Sequence, residues 1–388
     1  MLFEKFEQKT KQMWTSYLTN ISIAHKEGRL ETKNNKILYP TMLIISQCKG
    51  YHIAELTGAS EKLNPLIIKR HKESSILRYL GQFDSAQSSP IIHMNGDCNG
   101  LDSLCLSHTK NLDEIAERFP YLKLQKSILT MENTYGSTIT FGEDFVSCSI
   151  NNCTFLNKKE TIYRSKTILS AILVKNSITN AELEKIFEWT TEKESVVGVQ
   201  AVSDKDRRII LASQLQNLYL LPGLRETTIG EFLKLHPEII KKAFDTQHFE
   251  YEPSLKWVEH DGFCTDNEIN PDLLIKRKDG YYDICDLKTA KLEKNRITKA
   301  DRSRRRFIDY VAEGVAQLAN YREYFQYPKN AALAKEKYGV EIKNPRLILV
   351  VGNWDNFNEQ EVAQACRQYE NLEVIDYDTI SQLYINSE

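Results

Sequence analysis

The stretch NPDLLIKRKDGYYDICDLKTA, residues 270–290, constrains the C-terminal half of this chain more than any other. One apolar run, Leu273–Ile275, and a second ending at Leu287 flank Lys278-Asp279-Gly280, a turn signal closed by glycine. Short apolar runs bounded by turn residues read as the two strands of a buried hairpin. If residues 278–280 form a three-residue loop with Gly280 in the left-handed position, Asp272 falls directly opposite Asp286, with Cβ atoms about 5 Å apart. A two-residue loop shifts the pairing by one and makes the carboxylates diagonal neighbours. In either register Lys288 shares the face of Asp286, because side chains alternate along a strand.

Two carboxylates and an ammonium therefore gather at the open end of the hairpin, away from its charged tip Lys276-Arg277-Lys278. Carboxylates this close repel unless something positive lies between them. Mg²⁺ takes one or two carboxylates and keeps positions for water and a substrate phosphate. A lysine beside it can orient a water or stabilise charge growing on phosphorus. These are the parts of a metal-dependent phosphodiesterase. A surface hairpin with charged ends is the plainer alternative, but Leu273, Leu274, Ile275, Ile284 and Leu287 surround the charges, and charged groups in apolar company are seldom decoration.

At 388 residues the chain exceeds one typical core, so two or three domains are expected. Residues 2–24 read as a helix with Phe6, Trp14, Tyr17, Leu18 and Ile21 on one stripe. Residues 35–175 alternate short β-rich runs (37–46, 89–94, 137–141, 145–150 and 167–174) with turns; helices are expected over 111–119 and 180–191. This segment is α+β and shows no catalytic motif. SDKDRR, residues 203–208, reads as a hinge, which gives domains 1–205 and 206–388. After it come helices over 207–220, 227–235 and 237–244, the hairpin, a helix over 307–324, the strand RLILVVGNW, a helix over 359–369, a strand over 372–376 and a last helix. That order predicts a mixed sheet with helices on its faces.

With 51 Lys and Arg against 53 Asp and Glu, a uniformly basic nucleic-acid coat is excluded; a local basic patch is not. No apolar run approaches the roughly 20 residues of a membrane span, and the acidic, amphipathic start lacks a secretory pattern, so a cytoplasmic protein is expected. The eight cysteines are scattered without a Cys-x-x-Cys pair, which argues for thiols rather than disulfides or zinc. No Gly-x-x-x-x-Gly-Lys-Ser/Thr loop is present, so no nucleotide cofactor is expected.

Three motifs carry a resemblance. Pro271-Asp272, thirteen residues and then Asp286-x-Lys288 resemble the PD-(D/E)xK nuclease superfamily. Gln317 and Tyr321 in QLANY, spaced to share a helix face, resemble the Gln-x-x-x-Tyr of its RecB-like branches, with Glu313 and Tyr324 extending the stripe. ETTIGEFLKLHPEII, residues 226–240, resembles the helix that opens the nuclease domain of the Shedu anti-phage defence proteins. In that helix Ile229, Phe232, Leu233 and His236 mark the buried stripe. Glu226 points with them and Glu231 points away, so Glu226 is the helix acid expected near the metal.

The resemblance to Shedu covers about residues 220–385. It implies a restriction-endonuclease-like α/β domain, Mg²⁺ (with Mn²⁺ as a substitute), DNA as substrate, assembly as a homotetramer and a sensor role for residues 1–205. The metal ligands it implies are Asp272, Asp286, the carbonyl of Leu287, and Glu226. Lys288 would support the attacking water, Gln317 and Tyr321 would brace the lysine or the phosphate, and the products would carry a 5′-phosphate and a 3′-hydroxyl. KLEKNRITKADRSRRR, residues 291–306, holds eight basic residues against two acids. Beside a metal site such a run suits contact with the phosphate backbone, led by Arg302, Arg304, Arg305 and Arg306, with Lys291, Lys294, Arg296 and Lys299 behind them. A repair or restriction nuclease, or a non-catalytic DNA-binding scaffold on a degenerate nuclease fold, is the alternative.

Overall fold

The computed structural model describes residues 1–30, 36–73, 79, 92–95, 104–107, 117, 136–139, 146–159, 162–191, 198–202, 204–221, 224–262, 267–292, 294–301 and 304–387. They form two compact units, Met1–Leu224 and Arg225–Glu388. This division falls later than the hinge read at 205. The helix Asp204–Leu220 belongs to the N-terminal unit because it packs along the strand Ile162–Lys175 and buries Leu211, Leu215 and Leu218.

The N-terminal unit is α+β. It holds helices α1 (Phe3–Lys26), α2 (Asn180–Thr191) and α3 (Asp204–Leu220). Its strands are β1 (Lys36–Leu38), β2 (Met42–Cys48), β3 (Tyr51–Thr57), β4 (Ile67–Lys72), β5 (Ile92–Asn95), β6 (Leu104–Ser107), β7 (Gly136–Ile139), β8 (Ser147–Lys159), β9 (Ile162–Lys175) and β10 (Gln200–Val202). Six of them form a sheet in the order β4-β2-β3-β9-β8-β6. Phe6, Trp14, Leu18 and Ile21 of α1, on the stripe expected of them, pack with Leu43, Ala54 and Ile172 of the sheet and Phe187 of α2. The runs expected at 145–150 and 167–174 fall toward the open end of one long β8–β9 hairpin. The helix expected over 111–119 lies, apart from Glu117, outside the described residues.

The C-terminal unit is a mixed sheet with flanking helices. Its strands are β11 (Phe249–Tyr251), β12 (Leu255–Lys256), β13 (Glu268–Ile269), β14 (Leu273–Lys276), β15 (Tyr282–Leu287), β16 (Thr298–Asp301), β17 (Arg304–Phe307), β18 (Leu347–Val350) and β19 (Leu372–Ile375). Its helices are α4 (Glu226–Leu235), α5 (Pro237–Ala243), α6 (Asp309–Tyr324), α7 (Pro328–Tyr338), α8 (Glu359–Cys366) and α9 (Tyr377–Asn386). The main sheet runs β11-β14-β15-β18-β19. The first three strands are antiparallel; β15, β18 and β19 are parallel. A parallel pair needs a crossover, and α6 supplies it between β15 and β18.

On one face of this sheet Leu274, Tyr282, Ile284, Leu347 and Leu349 pack beneath Val311, Val315 and Leu318 of α6. The buried stripe of α4 is as expected: Ile229, Phe232, Leu233 and His236 are all at most 1 % exposed. Part of the basic stretch is strand. Residues 298–301 and 304–307 form the two-stranded ribbon β16–β17, paired from Thr298 with Phe307 to Asp301 with Arg304. Phe307 closes that ribbon, so the following helix begins at Asp309 rather than at 307. No described helix is long and apolar enough to cross a membrane.

Candidate active site

The turn settles the register. Arg277 N–H donates to the Tyr281 carbonyl at 2.7 Å, leaving residues 278–280 as a three-residue loop, and Gly280 sits at φ +92°. Leu273 pairs with Cys285 and Leu274 with Ile284. Continued by one residue, that register sets Asp272 opposite Asp286. Each carboxylate acts electrostatically on the other. Asp272 Oδ2 also accepts the Leu287 N–H at 2.6 Å. That bond ties the start of one strand to the end of the other.

Lys288 follows β15, and its own N–H bonds the Val350 carbonyl of β18 at 2.8 Å. Its ammonium lies 2.6 Å from Asp286 Oδ2 and donates to Gln317 Oε1 at 2.7 Å. Gln317 Nε2 donates to the Tyr321 hydroxyl, which donates to the Asn270 carbonyl at 3.2 Å. The relay thus returns to the segment that carries Asp272. Beneath it the fully buried Tyr377 donates to the Lys288 carbonyl at 2.8 Å.

Asp286 is 2 % exposed, and its Oδ2 has the Lys288 ion pair but no directed hydrogen bond. Burial, then the charge of Asp286, push Asp272 up to about 7, against the pull of the Leu287 N–H and Lys288. Burial also raises Asp286; Lys288 pulls it back and the Glu226 carboxylate adds to the rise. For Lys288, burial works against the charge, but the two aspartates outweigh it and the ammonium is held above its usual range. The site is therefore an acid pair, Asp286 buried and Asp272 half-buried, with one cation too few: it retains a proton near neutral pH that a bound cation would displace.

Glu226 opens α4 and is near enough to act electrostatically on Asp286, Tyr310 and Tyr377. Glu231 acts instead on Tyr251. Among the described residues no group of three or more His, Cys, Asp and Glu side chains is placed to hold a metal ion. The donor set is two carboxylates, with Glu226 outside it and the Leu287 carbonyl on the strand between Asp286 and Lys288. A buried carboxylate with one oxygen lacking a directed partner, beside a half-buried one, suits a small hard cation that keeps most of its water.

The ribbon divides its arginines. Arg305 lies 3.2 Å from Glu361 of α8, which also takes Arg296 at 2.6 Å and the Thr298 hydroxyl at 2.7 Å. Arg305 is thus held against the protein, whereas Arg304 and Arg306, on the other face of β17, are exposed. Arg302 lies outside the described residues. Of the secondary group, Lys299 pairs with Asp309, Arg296 with Glu361, and Lys294 is exposed. Glu313, expected on the site-facing stripe of α6, is exposed.

Gly314 takes that place. A Cβ there would lie 2.9 Å from Leu349 Cδ1 and 3.1 Å from Lys288 Cε. Tyr310, Gly314, Gln317 and Tyr321 follow the i, i+4, i+7, i+11 spacing of one helix face. Extending the Gln-x-x-x-Tyr pattern one heptad toward the N-terminus would have found the first two. Because the added methyl meets the lysine stem, Gly314→Ala should displace the ammonium by a few tenths of an ångström. The expected result is about a tenfold loss of activity with DNA affinity unchanged, since misplacement by about 1 Å can cost 10²; equal kcat in the two proteins would show that the stem yields freely.

Residues 223–380 match the family described as Shedu protein SduA, C-terminal. No curated protein matches the chain. The match spans the acid pair, Lys288, the Gln317–Tyr321 relay and all five strands of the mixed sheet. Residues 223–380 belong to the Shedu SduA C-terminal family.

Proposed function

We propose that the C-terminal unit is a divalent-metal-dependent DNA endonuclease on a restriction-endonuclease-like fold, acting in anti-phage defence under the control of the N-terminal unit. One observation carries this reading: at one sheet end Lys288 is ion-paired to Asp286 and hydrogen-bonded to Gln317, which bonds Tyr321, while Asp272, opposite Asp286, takes the Leu287 N–H beside them. Asp272, Asp286 and the Leu287 carbonyl would hold Mg²⁺, or Mn²⁺ in its place, and Glu226 would reach it through water. A divalent cation held there would neutralise the acid pair and polarise the phosphate.

The protein supplies the positioning. Lys288, fixed between Asp286 and Gln317, orients a water for attack on phosphorus and opposes the charge that grows there. Tyr321 and Asn270 fix Gln317, so that the lysine keeps one direction. The exposed Arg304 and Arg306, with Arg302 beside them in sequence, take phosphates of the backbone without reading bases. Cleavage leaves a 5′-phosphate and a 3′-hydroxyl. Assembly as a homotetramer belongs to the same proposal, and weighing the particle in solution tests it.

The decisive experiment incubates the purified chain with supercoiled, nicked and linear DNA in Mg²⁺, in Mn²⁺ and in chelator. Cutting of at least one DNA form in either metal, and none in chelator, is expected. DNA binding without cutting of any form would favour a non-catalytic scaffold.

A further inference from the structure

Tyr310 lies in the first turn of α6, on the same helix face as Gly314, Gln317 and Tyr321. Its ring packs against the core beneath the sheet face, and its hydroxyl oxygen accepts the Thr289 N–H at 3.1 Å. Thr289 directly follows Lys288, so this bond pins the hydroxyl to the strand end that carries Asp286 and Lys288. Accepting that N–H uses one lone pair and turns the hydroxyl proton away from the backbone. Among the described residues the proton has no acceptor. That bond places the hydroxyl at the residue after Lys288, where Glu226, Lys288 and Asp286 all act on it electrostatically.

We propose that Tyr310 is a further catalytic residue, its hydroxyl donating a hydrogen bond to a non-bridging oxygen of the phosphate being cleaved. The inference rests on the nuclease reading. A phosphate entering this site meets three acids and one lysine whose ammonium is already committed to Asp286 and Gln317. A neutral donor aimed at the developing charge is what such a site lacks, and donors of this kind act mainly on the transition state. Burial above all, with Glu226 and Asp286 adding to it against the Thr289 N–H, raises the phenol above its ordinary range, so the hydroxyl is a neutral donor at neutral pH. No proton is transferred; the bond shortens as charge grows on the phosphate oxygen.

The test is Tyr310→Phe, which keeps the ring. Single-turnover cleavage should slow by about 10- to 100-fold, with DNA affinity within about twofold of wild type and the melting temperature nearly unchanged. A phosphorothioate at the scissile bond adds a readout that a structural role would not move. Sulfur accepts hydrogen bonds poorly, so one diastereomer should slow wild type more than it slows Tyr310→Phe. A variant that cuts at the wild-type rate, or shows the same sulfur effect as wild type, overturns the inference while wild-type cutting leaves the nuclease reading standing. If wild type cuts no DNA, both fall. Should Tyr310→Phe fail to fold, a fluorinated tyrosine at 310 keeps both hydrogen bonds and lowers the phenol pKa; the alkaline limb of the rate profile should then move down, and an unmoved limb overturns the inference.

Discussion

Lys288→Ala is expected to bind DNA as wild type does and to cut it at least 10³ times more slowly. The ammonium is asked for two things at once. On the proposed nuclease reading it would orient the attacking water, an effect of about 10²–10⁴, and oppose charge on the phosphate, an effect of about 10²–10³. Both come from one side chain held 2.6 Å from Asp286 and 2.7 Å from Gln317. Truncation also leaves Asp286 Oδ2, already without a directed hydrogen bond, with no cation beside it. Breaking a buried ion pair costs about 3–5 kcal/mol, less here because the acid pair can take up a proton. Lys288→Gln therefore belongs beside it: the stem stays, and the amide can bond both neighbours. If both variants fold by circular dichroism and retain DNA affinity but not cleavage, Lys288 acts in the chemistry. Cutting by Lys288→Gln at more than a tenth of the wild-type rate would show that the charge is dispensable.

Hairpin register was legible in the sequence because three short-range facts determine it: Gly280 must be left-handed, side chains alternate, and the apolar residues must face inward. The α4 stripe was legible for the same kind of reason, since Ile229, Phe232 and Leu233 repeat at helical spacing. What escaped was decided by partners distant in sequence. The basic run reads as solvated until Glu361 of α8, some sixty residues on, gathers Arg296, Thr298 and Arg305 and stabilises a ribbon. Helix α7 escaped because PKNAALAKEKY is mostly polar, burying only Asn330 and Ala334; its cues were Pro328 at the start and Gly339, at φ +67°, at the end. The domain boundary escaped because SDKDRR looks like a hinge, while α3 is held by its packing on β9. Tyr310 and Gly314 had a signal, the heptad of Gln317 and Tyr321, but a glycine shows its purpose only when Lys288 Cε is found 3.1 Å from the missing Cβ.

The acid pair makes the stability of the C-terminal unit depend on pH in a direction opposite to most carboxylates. Asp272 is raised from its ordinary value to about 7, by burial first and by Asp286 second. The folded state therefore binds more protons than the unfolded chain between about pH 4 and pH 7. The stabilising contribution is complete below the unfolded value near 4 and is lost as pH rises through 7. Without a divalent cation, the melting transition of this unit should fall over that window as far as this pair governs it. Mg²⁺ should restore it at pH 8, by about 2.7 kcal/mol when free Mg²⁺ is a hundredfold above its dissociation constant, or roughly 5–10 °C for a unit of this size. At pH 5 the same Mg²⁺ should do far less, because it must displace the shared proton. Asp272→Asn and Asp286→Asn each remove one charge of the pair. Both should abolish cleavage, flatten the fall between pH 4 and pH 7, and lose the Mg²⁺-dependent rise, while melting higher than wild type at pH 8 in chelator. Each of these follows from the same cause: two adjacent carboxylates, one buried and one half-buried, share too little positive charge, so neutralising one by mutation, by a proton or by a metal relieves the same strain. A wild-type transition at pH 8 that Mg²⁺ and Mn²⁺ leave unmoved would mean that the pair holds no cation, and a variant that still answered to Mg²⁺ would place the cation elsewhere.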